Sequence, residues 1–290
     1  MIGQILINGI LFGGLYAILA VGFSLVFGVA NILNMAHTAF YMIACFMTFI
    51  VTVNLSLNPL FAIVIALMVV FVVSILAYKL CIDRVKEQDT AVMIITIALA
   101  ILAQEIFIIF FARHMYGVQP YIKGSVEIFQ VGVSYQHLIA IISSIVVLIV
   151  VWLLLKKTRL GKSIRAVSQD SEAAGLMGIN VSWVCMTVMV ISALLAATAG
   201  VLTAPIMMVH GMMWLHPLVL VLAIVVLGGL GSIKGSIIAA FILGFAETIV
   251  TFAVPWGTFI KGAVSLTVMV LVLIKRPEGL FGVVFEEERL

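Results

Sequence analysis

Two acidic residues lie within long apolar runs of the chain, where a charged side chain needs an explanation. Glu105 follows Gln104 in one run, and Glu247 lies in the stretch GFAETI of another. If these runs cross a membrane, burial of a carboxylate is costly, so both residues are candidates for a solute pathway. For Glu247, a structural role as a hydrogen-bonded or protonated group that holds helices together is an equally good interpretation.

A second polar group stands where the first apolar run gives way to the second. Asn31, Asn34 and His37 recur at steps of three residues, so they could share one helical face. They either cap a tight connection between two helices or line a broken helix that faces a cavity. We expect capping for the asparagines and a hydrogen-bonded packing role for His37, while Asn34 and His37 remain candidates for the pathway.

The sequence lacks the motifs of an intramembrane enzyme or of an ATP-binding protein. It contains no H-E-x-x-H, no G-x-S-x-G and no G-x-x-x-x-G-K-[ST]. The only aspartates, at positions 83, 89 and 170, fall in predicted loops. Two methionine pairs around His210 could bind a soft metal, but adaptable packing is the commoner use of methionine. We therefore expect no catalytic residue, no metal and no cofactor in this chain.

The segments that carry these residues are apolar enough to cross a membrane. The chain is 65% hydrophobic and 9% charged, whereas soluble domains carry about 25% charged residues. Runs of about 20 apolar residues predict helical spans. We predict an all-α polytopic membrane protein with about eight or nine transmembrane helices, some of them broken or re-entrant. The segments lie near residues 4–28, 35–54, 59–78, 91–112, 137–155, 181–206, 217–231, 236–254 and 260–274. The first and seventh fit a simple span least well.

The distribution of lysine and arginine predicts the orientation. Three of the 15 basic residues, Arg113, Lys123 and Lys261, lie in one set of loops, and the others lie in the opposite set. Because cytoplasmic loops carry the excess of basic residues, the N-terminus is expected outside and the C-terminus in the cytoplasm. The protein is then a multi-pass protein of the cytoplasmic (inner) membrane, with an external loop at 113–136 and a cytoplasmic loop at 156–180.

The cytoplasmic loop has two parts. The basic residues of its first part suit snorkelling beside the end of a span. In the second part Asp170 is a good N-cap, Glu172 suits a first helical turn, and Gly178 suits a stop. These signals predict a helix of about two turns. So short a helix is marginal in water, and Met177 lies on its apolar edge. It should dock onto the rest of the protein, the membrane surface or a partner.

The string SEAAGLMGI, behind RLGKSIRAV, resembles the EAA loop of ABC-transporter permeases, and more narrowly the branched-chain amino acid permease family and its H-type subunits. Four further stretches resemble that family in the same order along the chain. They are GLYAILAVGFSLVFGVANILNMAH at 14–37, GSVEIFQVGVSYQHL at 124–138, VLGGLGSIKGSIIAAFILGFAE at 226–247 and RPEGLFG at 276–282. The glycine-rich LGGLGSIKGS segment together with RPEGLFG is the most specific part of the resemblance.

The resemblance implies a single ABC-permease transmembrane domain over residues 1–290, serving import of branched-chain or related small amino acids. Close relatives in the family carry urea or short amides. It also implies a second permease subunit, identical or homologous, two cytoplasmic ATPases that bind the ATP, and an external solute-binding protein. Membrane lipid is the surrounding partner, and no nucleic acid is expected. The cytoplasmic loop would form a coupling helix in a cleft of an ATPase, through Glu172, Ala173, Ala174, Gly175 and Gly178.

One position departs from the family. The family commonly has a Gly-Glu pair directly after the histidine of the second segment, whereas this chain has Thr38 and Ala39. An acidic group that is often present there in the family is therefore missing. A self-sufficient secondary transporter is the alternative hypothesis, with Glu105 and Glu247 as ion or proton sites. The capped cytoplasmic helix favours the importer, because a secondary transporter needs no docking element there.

Overall fold

The computed structural model describes residues 1–86, 88–128, 131–276 and 278–281, and in these residues the chain forms eleven α-helices and one small hairpin. The helices are α1 (Ile2–Ala30), α2 (His37–Phe49), α3 (Pro59–Ala77), α4 (Asp89–Phe111), α5 (Tyr135–Lys157), α6 (Arg159–Gln169), α7 (Ser171–Leu176), α8 (Val181–Thr203), α9 (Leu215–Gly228), α10 (Ile233–Ala253) and α11 (Gly257–Lys275). Short π-helical turns, Ile50–Asn54 and Tyr78–Ile82, extend α2 and α3. Strands β1 (Ser125–Ile128) and β2 (Val131–Ser134) pair antiparallel.

Eight of the helical segments in the described part of the chain are long and apolar enough to cross a membrane. This confirms the all-α polytopic class, and eight of the nine predicted segments are such helices. The seventh segment is different, because α9 has only 14 residues and spans about 21 Å, less than the roughly 30 Å of a bilayer core. The first segment is one continuous helix of 29 residues.

Helix α1 lies at the centre of the bundle. In its most apolar stretch 83% of the residues are buried, against 11% in α11 and 17% in α4 and α5. Its backbone touches that of α10, since a Cβ added at Gly244 would lie 2.8 Å from the Cα of Gly13. Small residues therefore let these two helices meet directly, as they do in many membrane bundles. The outer helices present their apolar side chains outward.

The chain breaks between α1 and α2 and turns back into the protein. Asn31 ends α1 in the left-handed conformation, with φ 52°, and the following residues to Ala36 are not helical. His37 then hydrogen-bonds through Nε2 to the carbonyl oxygen of Leu19, at 2.9 Å. Leu19 lies 11 residues before the end of α1, or about 16 Å along the helix. The non-helical segment therefore runs back beside α1 before α2 begins.

Buried side chains accept hydrogen bonds from two backbone N–H groups of this non-helical segment. The backbone N–H of Met35 donates to the Thr96 hydroxyl at 3.2 Å, and the N–H of Ala36 donates to the side-chain oxygen of Asn34 at 3.1 Å. Irregular backbone at membrane depth is tolerated where protein surrounds it in this way. The three-residue spacing does not place Asn31, Asn34 and His37 on one helical face, because no helix joins them. The asparagines act instead at the end of α1 and ahead of α2.

The loop that is predicted to be external is folded against the helix ends. Tyr116 forms an antiparallel bridge with Val209, in the non-helical stretch between α8 and α9. The Tyr121 hydroxyl donates to the carbonyl oxygen of Val201 at 2.7 Å, and its N–H donates to the Gln136 side chain at 3.2 Å. The loop therefore covers the outer ends of α5 and α8.

At the opposite end of the bundle, the two most specific motifs of the sequence pack on each other. The N–H groups of Leu280 and Phe281 donate to the carbonyl oxygens of Leu227 and Gly228, at 2.8 and 3.1 Å. Gly279, with φ 81°, leaves no room for a Cβ, which would lie 2.7 Å from the Val226 oxygen. The end of α1 also reaches this region, as the Gly28–Gly231 contact shows. These ends therefore share one side of the protein, as the predicted orientation requires.

Candidate functional site

Helix α6 is an amphipathic helix that the sequence interpretation missed. The Thr158 hydroxyl caps it by accepting from the N–H of Gly161 at 3.0 Å. Ile164 and Val167 are buried, and their spacing, three residues apart behind a threonine cap, was the available signal. Gly161 is required, because a Cβ there would clash with the Leu155 carbonyl oxygen. The basic residues of this stretch therefore lie on a helix that packs against the membrane domain.

Helix α7 has the cap and the stop that the sequence predicted. The Asp170 carboxylate accepts from the N–H of Ala173 at 2.9 Å. At the other end Gly178 is left-handed, with φ 84°, and its N–H donates to the Gly175 carbonyl at 3.0 Å. The N–H of Ile179 donates to the Ala174 carbonyl at 3.1 Å. Both ends of this six-residue helix are therefore satisfied by local groups.

One side of α7 faces the protein and the other projects away from it. Ala174 is 5% exposed, whereas Leu176 and Met177 are 89% and 84% exposed. Glu172, Ala173, Gly175 and Gly178 are exposed as well. A Cβ added at Gly175 would meet only Val181, at 3.9 Å. The predicted apolar edge is therefore real, but Ala174 uses it for internal packing while the apolar tip lies in the open.

The start of α8, which follows α7, is tied to the end of the α3 segment. The Asp83 carboxylate accepts from Lys86 at 2.9 Å and from the Ser182 hydroxyl at 3.2 Å. The hydrogen bond from Lys86 holds the pKa of Asp83 below its ordinary value, so the carboxylate is charged at neutral pH. The start of α8, directly after α7, is thus hydrogen-bonded to the chain that follows the α3 segment.

A second candidate site, which we call the external cavity, lies at the end of the bundle that the basic residues predict to be external. A cavity of about 220 Å³ lies between α1, α2, α9 and α11 and the non-helical stretch before α9. Its lining is mainly aromatic, methionine and histidine side chains, with one lysine. The lining residues are Phe12, Leu15, Tyr16, Leu19, Tyr41, Thr203, Met207, Met208, His210, Met212, Met213, His216, Pro217 and Lys261. Burial lowers the pKa of His210, so its imidazole is neutral at neutral pH.

Glu247 lies directly behind this cavity. Its carboxylate accepts from the Tyr16 hydroxyl and from the Ser265 hydroxyl, each at 2.9 Å, and His216 Nε2 lies 3.8 Å away. Glu247 is 4% exposed. Two of its partners, Tyr16 and His216, are also cavity-lining residues. The carboxylate therefore joins α1, α9, α10 and α11 and, through these partners, supports one wall of the cavity.

Residues 5–273 match the family described as branched-chain amino acid transport system / permease component. The chain belongs to this permease family. It is 28% identical to the high-affinity branched-chain amino acid transport system permease protein BraD of Pseudomonas aeruginosa, over 96% of this chain and 95% of that protein. The same values hold for LivH of Escherichia coli K12. Among solved structures, PsaBC from Streptococcus pneumoniae in complex with Fab shares the fold, with a TM-score of 0.53 at 15% identity, over 95% of this chain and 93% of that chain.

Within this permease the other three pathway candidates, His37, Asn34 and Glu105, do not line the external cavity. His37 is fully buried and hydrogen-bonds to Leu19 and to the Ser192 hydroxyl, at 2.9 and 3.0 Å. Asn34 holds the backbone ahead of α2. Glu105 is exposed on the outer side of α4, beside its hydrogen-bond partner Gln104. Of the four candidates, Glu247 has two partners whose side chains line the cavity, Tyr16 and His216, whereas His37 reaches the lining only through the carbonyl oxygen of Leu19.

The partners of Glu247 were beyond sequence reasoning. Tyr16 is 231 positions away in the chain, and nothing local marks it as a carboxylate partner. His216 and Ser265 lie in apolar segments that look like ordinary packing helices. Among the described residues, no group of three or more histidine, cysteine or acidic side chains could hold a metal ion.

Proposed function

We propose that this permease is the membrane-spanning subunit of an ATP-driven importer for branched-chain or related small amino acids. The observation that carries the proposal is α7, a short capped helix held outside the membrane with an exposed apolar tip. Leu176 and Met177 are almost fully exposed, and exposed apolar groups of this kind mark interaction sites. A cytoplasmic ATPase that receives α7 in a cleft would bury them.

The five loop residues would divide the coupling role between them. Ala174 anchors α7 on its own protein. Ala173 and Gly175 offer little side chain on the open side, so a partner's backbone could approach closely. Glu172 lies in the first turn, where its negative charge interacts favourably with the helix dipole and can form an ion pair with a cation of the partner. Gly178 ends the helix and turns the chain toward α8, so a displacement of α7 would be transmitted through α8 to the membrane domain.

The assembly that fits this role would contain four further proteins, one in the membrane, two in the cytoplasm and one outside. A second permease, identical or homologous, would complete the membrane part, and two cytoplasmic ATPases would bind the ATP. An external solute-binding protein would deliver the solute to the folded external loop and its β1–β2 hairpin. Membrane lipid surrounds the outer helices. This chain would then bind no nucleotide itself.

The chemistry of the external cavity supports an amino acid as the solute. Lys261 offers an ammonium for a carboxylate, and the Tyr16 hydroxyl oxygen, whose proton is donated to Glu247, offers an acceptor toward an amino group. The methionines around His210 form an adaptable apolar wall, suited to a branched side chain. The cavity volume of about 220 Å³ is below the 300–1,000 Å³ that is typical of pockets for drug-sized ligands, which agrees with a small solute. We assign Glu247 to this pathway, and Asn34 and His37 to holding the break between α1 and α2.

The docking role can be tested with one substitution and its matched control. Gly175→Trp adds a bulky side chain to the exposed side of α7, where Val181 is the nearest obstacle. Gly132→Trp adds the same side chain to the external hairpin, where a Cβ meets nothing within 4 Å. We expect Gly175→Trp, and the charge reversal Glu172→Lys, to lower ATPase recovery in a detergent pull-down and substrate-stimulated ATP hydrolysis.

Gly132→Trp should leave ATPase recovery unchanged, which controls for insertion and folding. If Gly175→Trp and Glu172→Lys retain the ATPases and full hydrolysis, α7 is not the docking element. If the tagged wild-type chain is recovered alone and moves solute in liposomes without ATP, the protein is a secondary transporter. Urea and short amides should be tested among the solutes. They carry no carboxylate, so the Lys261 ammonium would add little to their binding.

A further inference from the structure

A second cavity lies at the cytoplasmic end of the bundle. It has a volume of about 260 Å³ and is bounded by α1, α5, α6 and the start of α10. Both α5 and α10 pack on α1, and the cavity occupies the groove between them. It is distinct from the external cavity, because the two share no lining residue.

The wall of this groove is apolar, and its rim is aromatic and cationic. Val21, Leu25 and Val151 are buried in the wall. Trp152 lies at the rim, is half exposed, and carries the Lys156 ammonium 4.8 Å from its ring centroid. Tryptophan and lysine in this arrangement are typical of the membrane–water interface. The cavity therefore lies at the depth where lipid chains meet lipid headgroups.

Two further cations line the same rim. Arg165 of α6 and Lys234 of α10 are exposed lining residues, and the lining includes no aspartate or glutamate. Arg165 donates from Nη1 to the Leu155 carbonyl oxygen, and its other N–H donors remain available. Basic pockets between transmembrane helices on the cytoplasmic side suit anionic lipid headgroups. The charge of the rim is thus complementary to a phosphate.

One buried hydroxyl in this cavity has no partner. Ser24 lines the cavity and is fully buried, and its Oγ finds no hydrogen-bond partner among the described residues. A buried unpaired hydroxyl is uncommon and calls for a ligand or water. Ser24 lies six residues before the end of α1, or about 9 Å deeper along the helix. An ester carbonyl lies deeper in the bilayer than the phosphate of the same lipid.

We propose that this groove binds one anionic phospholipid of the cytoplasmic leaflet. Its phosphate would pair with Arg165 and Lys234, an ester carbonyl would accept from Ser24, and an acyl chain would fill the apolar wall. Because Arg165 belongs to α6, and α7 follows α6 directly, the bound lipid would brace the base of the exposed helix. This site does not depend on which solute the permease carries.

The test compares two charge-matched double variants of the purified complex in nanodiscs. Arg165→Gln with Lys234→Gln removes both rim cations. Lys79→Gln with Arg84→Gln removes two exposed basic residues from the same predicted cytoplasmic face that do not line the cavity. Nanodiscs of phosphatidylcholine containing a fraction of phosphatidylglycerol supply the probe lipid. Native mass spectrometry then measures the phosphatidylglycerol retained on this subunit.

We expect the wild-type subunit and the Lys79/Arg84 variant to retain phosphatidylglycerol in preference to phosphatidylcholine. Each basic residue near an anionic lipid surface is worth about fivefold in affinity, so the rim variant should bind about 25-fold more weakly. Equal retention by the two variants overturns the proposal. Displacement by inorganic phosphate alone would make the groove a free-anion site, and protection of a Trp152→Cys thiol by the second permease would make it a subunit contact. Either result also rejects the lipid.

Discussion

Gly200 lies where α8 packs directly on α2, and replacing it with alanine should push these helices apart. A Cβ at this position would lie 2.4 Å from the Tyr41 carbonyl oxygen and 3.1 Å from the Cβ of Ala44. Ordinary contacts of a Cβ are 3.4 Å or longer. The backbones must therefore separate by about 1 Å, because closely packed helices offer no free volume to absorb the methyl group.

The cost follows from the geometry. Overpacking of a tight interior contact costs about 1–3 kcal/mol. The Cys45 thiol, which donates to the Gly200 carbonyl at 3.2 Å, would also lose that hydrogen bond as the helices separate. At about 2–4 °C of melting temperature per kcal/mol for chains of this size class, we expect Gly200→Ala to lower Tm by about 2–12 °C.

The buried thiol supplies the assay. Cys81 and Cys185 are partly exposed, so they are first replaced by serine, leaving Cys45 as the reporter. The reaction of Cys45 with a thiol-reactive fluorophore then follows thermal unfolding in detergent. Below Tm, the rate of labelling reports local opening between α2 and α8. Gly132→Ala is the control, because a Cβ there meets nothing within 4 Å. If Gly200→Ala matches this control in both Tm and labelling rate, the inferred contact between the helices is wrong.

Two further predictions concern the candidate sites. Asp170→Ala removes the cap of α7 and should destabilise this helix by about 1 kcal/mol, which raises the rate of amide hydrogen exchange in α7 about fivefold. The control Asp170→Asn keeps an acceptor, so its amides should exchange at the wild-type rate. Equal exchange rates in all three proteins would show that the cap does not stabilise α7. Tyr16→Phe removes one hydroxyl donor from Glu247 and should lower both Tm and solute uptake, since a hydrogen bond to a carboxylate contributes about 1.5–3 kcal/mol. In a double-mutant cycle with Glu247→Gln, Tm effects that simply add would show that the two groups do not interact.

Local signals in the sequence predicted much of this permease. Long apolar runs predicted the spans to within a few residues, because a bilayer imposes their length and composition. The N-cap at Asp170 and the stop at Gly178 predicted α7, because capping depends on residues a few positions apart. Helix α6 was missed, since its basic residues had a sufficient explanation as snorkelling side chains.

Contacts between distant segments were not predictable in the same way. The three-residue spacing of Asn31, Asn34 and His37 suggested one helical face, but the chain between them is not helical. The Thr96 hydroxyl, from a distant helix, accepts from the backbone N–H of Met35 there. Glu105 and Glu247 looked alike as membrane carboxylates. The structure separates them, placing the first on the outer side of α4 and the second behind the external cavity.

The sequence by itself determined the helical membrane class and the capped helix α7 of this permease, because hydropathy and helix caps act over short stretches of chain. The orientation stays a prediction from the bias of basic residues. Only the tertiary structure decided which polar groups meet. The carboxylate of Glu247 lies between hydroxyls from α1 and α11, and the rim of the cytoplasmic groove joins cations from α6 and α10. Such groups come together because small residues let α1 and α10 pack in backbone contact, and the other helices pack around that pair.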